Sequence, residues 1–566
     1  MPGLVGFTAK GDRDACLRLL KAMQELIMHH TFYTCDKLWT NNWFFATRSH
    51  INISQNDPQP YTGQGFQVWL DGEFYNQSEI GQSLDCGNST DPQLMAELFL
   101  ENKHDSGFHF LRQINGIYSS VVLDEQCQKL YLVTDRYGLR HIYWTVLDGQ
   151  LAWASEYKAF LALPDFKPRI DEQTVADFFK FGYCCEDRTW FEDVQVLSSG
   201  SVLIWDLKHG TWHKERYWGW DQIHPMTGSV DEGEVVEELG RLFRQAVERC
   251  CRPGERVGVQ LSGGLDSRAI LAAIPERNEL IHAFTYGKQG CEDIRFASRA
   301  AKVRDAVHHV AYMNAGNWLQ DRFNTVWWLD GQKNLLHMHA LHALRSLPDY
   351  CDVHLSGYLG GITVGGSYLN REDQDEFQVV ESRGRRFIWG GLRIGSMFIE
   401  ERPVFFDNDF ISFALSVPKP MRRDSYLYIR MLLSRYPDYF RHIPWQRTGY
   451  PISWPPGLVK PLARVRRFRY KLSHRLGIYD VKFPDRSTYT NYDVWIRQEP
   501  ARPTFSTLLF DRKALYPEYV DRDQVRYLWQ QERARLDWAN QVCKYVTFEL
   551  WLRQVFKNEF RPQNVY

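Results

Sequence analysis

Apolar and polar residues alternate in short runs through the first part of the chain, then pass to helical spacing interleaved with short apolar stretches. Residues 66–70 (Phe-Gln-Val-Trp-Leu) run into Asp71-Gly72-Glu73-Phe74-Tyr75-Asn76, and residues 116–123 and 130–133 read as strands joined by a polar turn. Between them, Thr90-Asp91-Pro92 predicts a capped helix over 93–101. Residues from about 166 to 230 read as a connection holding an amphipathic stretch, 170–181, and a turn and strand, 196–204. A helix is predicted from Asp231, with Val235, Val236, Leu239, Leu242, Phe243, Ala246 and Val247 on one face. Beyond it come apolar strands ending at Leu261, over 281–287, after His308-His309 and over 353–356, and Asp293, Ala297, Ala300 and Ala301 fall on a helix among them. This alternation predicts a parallel sheet with helices on both faces. Ligands in such a sheet sit at the carboxyl ends of strands, so the loops after Leu261, Tyr286 and Leu355 are the candidate walls of one pocket.

At 566 residues the chain is long enough for two or more domains. A formal net charge of −1 gives no bias toward polyanions, so no nucleic-acid partner is expected. No apolar run approaches the roughly 18 residues of a membrane span and no signal-peptide pattern opens the chain, so the expected location is cytoplasmic. The 11 cysteines are scattered without Cys-x2-Cys spacing, which indicates neither a zinc site nor a disulfide framework. His337 and His339, two apart, share no helix face and are not read as metal ligands. The basic run 464–475 is either a solvated helix face or a dock for an acidic carrier, a peptide or a membrane surface.

The stretch with the most chemistry is Val257-Gly-Val-Gln-Leu-Ser-Gly-Gly-Leu-Asp-Ser-Arg268, a strand entering a Ser-Gly-Gly loop and then a helix that Pro275 stops. Glycines let backbone N–H groups approach a phosphate, the helix start adds its positive end, and Ser262 and Ser267 add hydroxyls. Asp266 repels phosphate by itself, which suggests an intervening Mg²⁺. No Gly-x4-Gly-Lys-Ser/Thr loop occurs. The Ser-Gly-Gly-Leu-Asp-Ser string resembles the pyrophosphate loop of the adenylate-forming family that includes asparagine synthetase B and β-lactam synthetase. The resemblance extends over nearly the whole chain, down to residues 546–553, which look like the family's closing helix.

That resemblance implies an Ntn-type αββα sandwich over 1–225 and an α/β ATP-pyrophosphatase domain with a parallel sheet over 226–566. It implies ATP and Mg²⁺ as cofactors, with Leu261, Tyr286, Ser356 and Gly357 lining the nucleotide and Ser262, Gly263, Gly264, Asp266 and Ser267 at the pyrophosphate. Tyr358 stands where β-lactam synthetase has a tyrosine that helps deprotonate the attacking amine. Such a phenol needs a carboxylate partner, Glu381 or Glu400, or else simply packs against the sheet or the adenine. Arg447 falls at the family's catalytic lysine; it keeps the charge but cannot shuttle a proton. Gly361 replaces the second Mg²⁺-ligating Asp, and the family's Asn-Gly pair is Asp71-Gly72. Pro2 stands where the glutaminase cysteine belongs, and Cys16 is too far along to replace it, so the first domain is expected not to make ammonia.

The expected function is an ATP-dependent ligase joining a carboxylate to an amine on a small-molecule or peptide substrate, as in a β-lactam synthetase or a lasso-peptide cyclase. A nucleotide-binding scaffold and an ammonia-dependent amidation remain as alternatives, and a partner protein or homo-oligomer is left open.

Overall fold

The computed structural model describes residues 2–562 apart from 10, 42, 55, 340, 368, 370–374, 476–485 and 532–536. Its first half runs β1 (Gly3–Thr8), α1 (Arg13–Ile27), β2 (Phe44–His50), β3 (Phe66–Phe74), α2 (Asp91–Glu101), β4 (Gly116–Asp124), β5 (Lys129–Thr134), β6 (Tyr143–Leu147), β7 (Gln150–Ala154), α3 (Glu172–Phe181), β8 (Ser201–Asp206) and β9 (Thr211–Arg216). These strands form two antiparallel sheets. One has β6, β7, β1 and β2 side by side; the other runs β9, β8, β5, β4, β3. Leu4, Phe44 and Trp153 from the first sheet meet Trp69, Val121, Leu132 and Leu203 from the second. Helix α1 covers the outside of the first sheet with Leu20, Met23 and Ile27, and α2 covers the second with Leu94, Met95 and Leu98. The result is the αββα sandwich expected from the sequence. Residue 72 must be glycine: its φ is +113°, and a Cβ there would lie 2.1 Å from the Ile117 carbonyl on β4.

The second half contains α4 (Glu232–Arg249), β10 (Val257–Gln260), α5 (Asp266–Ala273), β11 (His282–Gly287), α6 (Glu292–Arg304), β12 (Val307–Tyr312), β13 (Val353–Ser356), β14 (Glu400–Pro403), α7 (Tyr426–Arg435), α8 (Pro456–Arg475) and α9 (Trp538–Phe556). The sheet order is β12-β11-β10-β13-β14 and every pairing is parallel. The chain walks outward from β10 to β12 and then returns to the other side of β10. The switch point therefore lies between β10 and β13, the position where open α/β sheets bind ligands. Helix α4 starts where Asp231 accepts a hydrogen bond from the Glu234 amide, as its sequence suggests. The basic run lies on α8, and several side chains toward its end fall outside the described residues.

One feature differs from expectation. Thr90 makes no side-chain cap on α2. The helix instead starts at Asp91, whose buried carboxylate accepts the Phe74 amide at 2.9 Å and ties α2 to the end of β3. The halves are also joined by buried charge rather than by apolar packing alone. Arg402 on β14 is fully buried and grips Glu73 on β3 through two bonds of 2.7 and 2.8 Å and Glu255 through two of 2.6 and 2.7 Å. Lys158 Nζ lies 3.1 Å from Asp330 Oδ1, whose carboxylate also takes the backbone amides of Tyr157 and Lys158. Removing one partner of such a pair costs about 3–5 kcal/mol, because the other charge is left buried.

Candidate active site

The Ser-Gly-Gly loop leaves β10 at the switch point. The Leu261 amide donates to the Phe284 carbonyl at 2.9 Å, which holds the loop's start against β11. Within the loop the Ser262 amide donates to Ser267 Oγ at 3.0 Å and the Gly264 amide to Ser262 Oγ at 3.1 Å. The Gly263 amide donates to Asp293 Oδ1 on α6, also at 3.0 Å. The picture of free glycine amides waiting for phosphate is thus corrected: these amides brace the loop. Anion donors here are the hydroxyls of Ser262 and Ser267, 3.1 Å apart, and the first-turn amides of α5. From the other side the Gln446 amide donates to the Gly263 carbonyl at 3.0 Å, and a Cβ on Gly263 would meet Gln446 Cβ at 2.7 Å.

Behind the loop lies Arg268, fully buried. Its guanidinium donates to the carbonyls of Gly264 (2.7 Å), Gly263 (3.2 Å) and Ile443 (3.2 Å), and no carboxylate pairs with it among the described residues. Burial pushes it down to about 10. The Tyr428 phenol and the Asp293 carboxylate oppose that shift and Arg299 adds to it, so Arg268 is a braced cation whose acid, Asp293, acts from beyond ion-pair distance.

Asp266 opens α5 and is half-buried. Burial pushes its carboxyl up to about 6, against the opposing effects of the Tyr428 phenol on α7 and the Gly361 amide. Gly357, Gly360 and Gly361, following β13, wall it in: a Cβ on Gly360 would lie 2.7 Å from Asp266 Cγ, and one on Gly361 3.9 Å from Oδ2. Position 361 therefore faces Asp266 directly, with no side chain to share a cation. Asp293 supplies a second acid at the loop, and its Oδ2 is buried with no hydrogen-bond partner among the described residues.

The structure brings together Leu261, Ser262, Gly263, Gly264, Asp266, Ser267, Ser356 and Gly357 at the ends of β10 and β13. Tyr286 stands one strand away at the end of β11, within 3.3 Å of the Gln260 amide nitrogen. Arg447 lies next to Gln446 in the bridge Trp445–Tyr450, exposed, with its guanidinium 5.4 Å from the Trp445 ring centre. Tyr358 is not gathered into this group. It is buried between Trp389 and Phe406 and donates to the Gly384 carbonyl in the wide turn Val380–Ile388. Burial first, and Glu381 second, hold its phenol well above the ordinary tyrosine range. Glu381 accepts from Ser199 and Trp220, and Glu400 from Arg140 at 2.6 Å, so neither serves as its base partner. Arg268 and Asp293 are the residues that reading the loop string alone passes over.

Two protein families match the chain: a glutamine amidotransferase domain over residues 1–218 and asparagine synthase over residues 238–387. The chain is asparagine synthetase-like. The glutamine-hydrolyzing asparagine synthetase 2 of Bacillus subtilis is 25% identical over 338 residues, covering 56% of this chain and 44% of that protein. Asparagine synthetase 3 of the same organism is 26% identical over 313 residues, 52% of this chain and 48% of that one. The amidase chyE of Penicillium rubens is 27% identical over 237 residues, 40% of this chain and 34% of that one. The chain thus spans under half the length of these relatives.

In the amidotransferase domain of this asparagine synthetase-like chain, buried Pro2 precedes β1. A Cβ on Gly3 would lie 3.4 Å from Asp71 Oδ2, so β1 starts beside that carboxylate. Arg140 sits 3.4 Å from Asp71 and 2.6 Å from Glu400, and Glu73 is held by Arg402. The polar end of β3 is thus occupied by charge pairs reaching to β14. Cys16 lies on α1, packed among Val5, Phe7 and Leu20, and burial pushes its thiol up.

Proposed function

We propose that the chain is an ATP-dependent amide-forming ligase. A substrate carboxylate oxygen attacks the α-phosphorus of ATP, pyrophosphate leaves, and an amine then displaces AMP from the acyl carbon and gives up a proton. The observation that carries this reading is the Ser262–Ser267 loop at the switch point with a buried cation, Arg268, directly behind it and no carboxylate in ion-pair contact with it among the described residues. Ser262, Ser267 and the first turn of α5 would hold the outer phosphates, with Arg268 supplying long-range positive charge. Asp266 and the unpartnered Asp293 Oδ2 fit a hydrated Mg²⁺, an ion that takes one or two carboxylates and keeps waters and phosphate oxygens. The metal would neutralise charge on the departing pyrophosphate. Arg447, exposed beside the loop, is placed to add charge there but not to move a proton.

Glutamine is not the nitrogen source in this reading. Pro2 has no thiol, Cys16 is buried in the core of α1, and Asp71 and Glu73 are engaged by arginines. The nucleophile is a substrate amine, with free ammonia as the variant to be separated from it. A second reading, a nucleotide-binding scaffold, is favoured by Gly361 and by the internal use of the Ser262, Gly263 and Gly264 amides.

Acid-dependent pyrophosphate release, measured over a panel of carboxylic acids with amines or ammonium salts as acceptors, tests the ligase. Wild type should release pyrophosphate with at least one acid and Asp266→Asn should lose at least about tenfold of that rate. Tight ATP binding without release for any acid would leave the scaffold reading in its place.

A further inference from the structure

The basic run of the sequence lies on α8, a helix of 20 residues and so about 30 Å long. Val459, Ala463 and Arg466 recur at helical spacing and turn inward. Arg466 pairs with Glu292 at the start of α6, and Gly449 makes room for it: a Cβ there would lie 1.6 Å from Arg466 Nη1. The inner side of α8 is thus seated on the segment that carries Arg447 and reaches the Ser-Gly-Gly loop through the Gln446 amide. The outer side points to solvent. Leu458, Val465 and Leu472 recur every seven residues, Phe468 falls between the last two, and all four are between 45% and 66% exposed. Trp454, just before the helix, is exposed as well.

Cations border this apolar stripe. At 3.6 residues per turn Arg464 falls on one side of it and Arg469 on the other, with Arg467 further round. All three are exposed, and none has a carboxylate partner among the described residues. Lys460 meets Asp424 at 3.2 Å between two exposed side chains, a pair of little strength. The helix holds seven Lys and Arg and no Asp or Glu, in a chain whose formal net charge is −1, so the remainder is net acidic. A negatively charged partner is therefore drawn to α8 and not to the molecule as a whole.

We propose that α8 docks the protein on an anionic lipid surface, with Leu458, Val465, Phe468 and Leu472 entering the headgroup boundary and Arg464 and Arg469 meeting lipid phosphates. An apolar face flanked by cations is the pattern of a helix that lies in such a boundary, where the arginine stems run along apolar surface and their heads reach the phosphates. A lipid plane fits better than a groove on an acidic protein. A groove encloses much of a helix, and α8 is already seated along its inner side; what remains is an outward stripe that a plane can cover. Docking in this way would also bring the segment 445–450, and with it the candidate site, toward the surface. The inference is independent of the ligase reading, and its failure would leave that reading untouched.

The full-length protein is mixed with vesicles of phosphatidylcholine, alone or with an equal share of phosphatidylglycerol, at about 0.1 M salt, and binding is read by co-sedimentation. The second readout is backbone hydrogen exchange over 456–475 in wild type, mapped by mass spectrometry. Anionic vesicles should bind at least about tenfold more tightly than neutral ones and should slow exchange in α8. The double variant Arg464→Gln/Arg469→Gln should weaken that binding by about tenfold or more, and so should Val465→Ser/Phe468→Ser. No binding to anionic vesicles, unchanged exchange in α8 of the bound protein, or binding indifferent to either double variant would overturn the proposal. Poly-glutamate is the rival probe: binding to it, with none to the vesicles, would assign the helix to an acidic polypeptide instead. The exchange readout uses wild type, so a variant that folds poorly does not blunt the test.

Discussion

Position 361 offers a direct test of whether the loop was built around a cation. A Cβ on Gly361 would lie 3.9 Å from Asp266 Oδ2, with only the rotatable Ser367 hydroxyl closer, at 3.1 Å. Gly361→Asp therefore places a second carboxylate about 4 Å from the first. At that separation two like charges repel by about 4 kcal/mol at an effective dielectric of 20 and by about 1 kcal/mol in water. Asp266 is half-buried, so a value of about 2 kcal/mol is expected. Melting followed by scanning fluorimetry in EDTA should show the variant less stable than wild type. Millimolar Mg²⁺ should recover that loss and raise the variant more than wild type, because a divalent ion turns the repelling pair into a ligand pair. No loss in EDTA, or an equal Mg²⁺ response in both proteins, would refute the placement of a cation between 266 and 361.

Two further outcomes separate chemistry from packing. Tyr358→Phe removes one buried hydrogen bond to Gly384 and should cost about 1 kcal/mol while leaving the pH profile of amide formation unchanged; a lost or shifted basic limb would show the phenol handling the amine's proton. Asp266, raised in the fold to about 6 from an ordinary value near 3.9, carries a penalty that is absent in acid, grows as pH climbs through that window and is constant above it. Chemical denaturation of Asp266→Asn against wild type should therefore show a gap in the variant's favour that opens between about pH 4 and 6, and a gap independent of pH would contradict the burial argument.

The parts of this fold that could be read from the chain are those whose signals are local. The strand period of 257–261, the helical face of 235–247 and the Ser-Gly-Gly string lie within a few residues of one another, and the structure forms each where it was expected. Tyr358 behaves otherwise because its surroundings come from afar: its acceptor is Gly384, and its neighbours Trp389 and Phe406 are up to 48 residues on. The Arg402–Glu73 clamp joins residues 329 apart, and nothing in either local sequence announces it. Thr90 sits at the N-cap without a side-chain bond, while Asp91 beside it bonds across to the end of β3. Arg268 was within reach of local reasoning: four residues after Gly264 on a helix, its side chain returns to that carbonyl.

Arg268 bears on the proposed chemistry as well as on the loop. Burying a cation outside an ion pair is costly, and the bonds of Arg268 to the Gly263, Gly264 and Ile443 carbonyls offset only part of that cost. The chain nevertheless buries Arg268 behind the Ser-Gly-Gly loop, with Asp293 on α6 also at that loop. Burial lowers Arg268 to about 10, and an anion bound at the loop would raise it again. The outer phosphates of a nucleotide held by Ser262 and Ser267 would supply such an anion, as the proposed ligase requires.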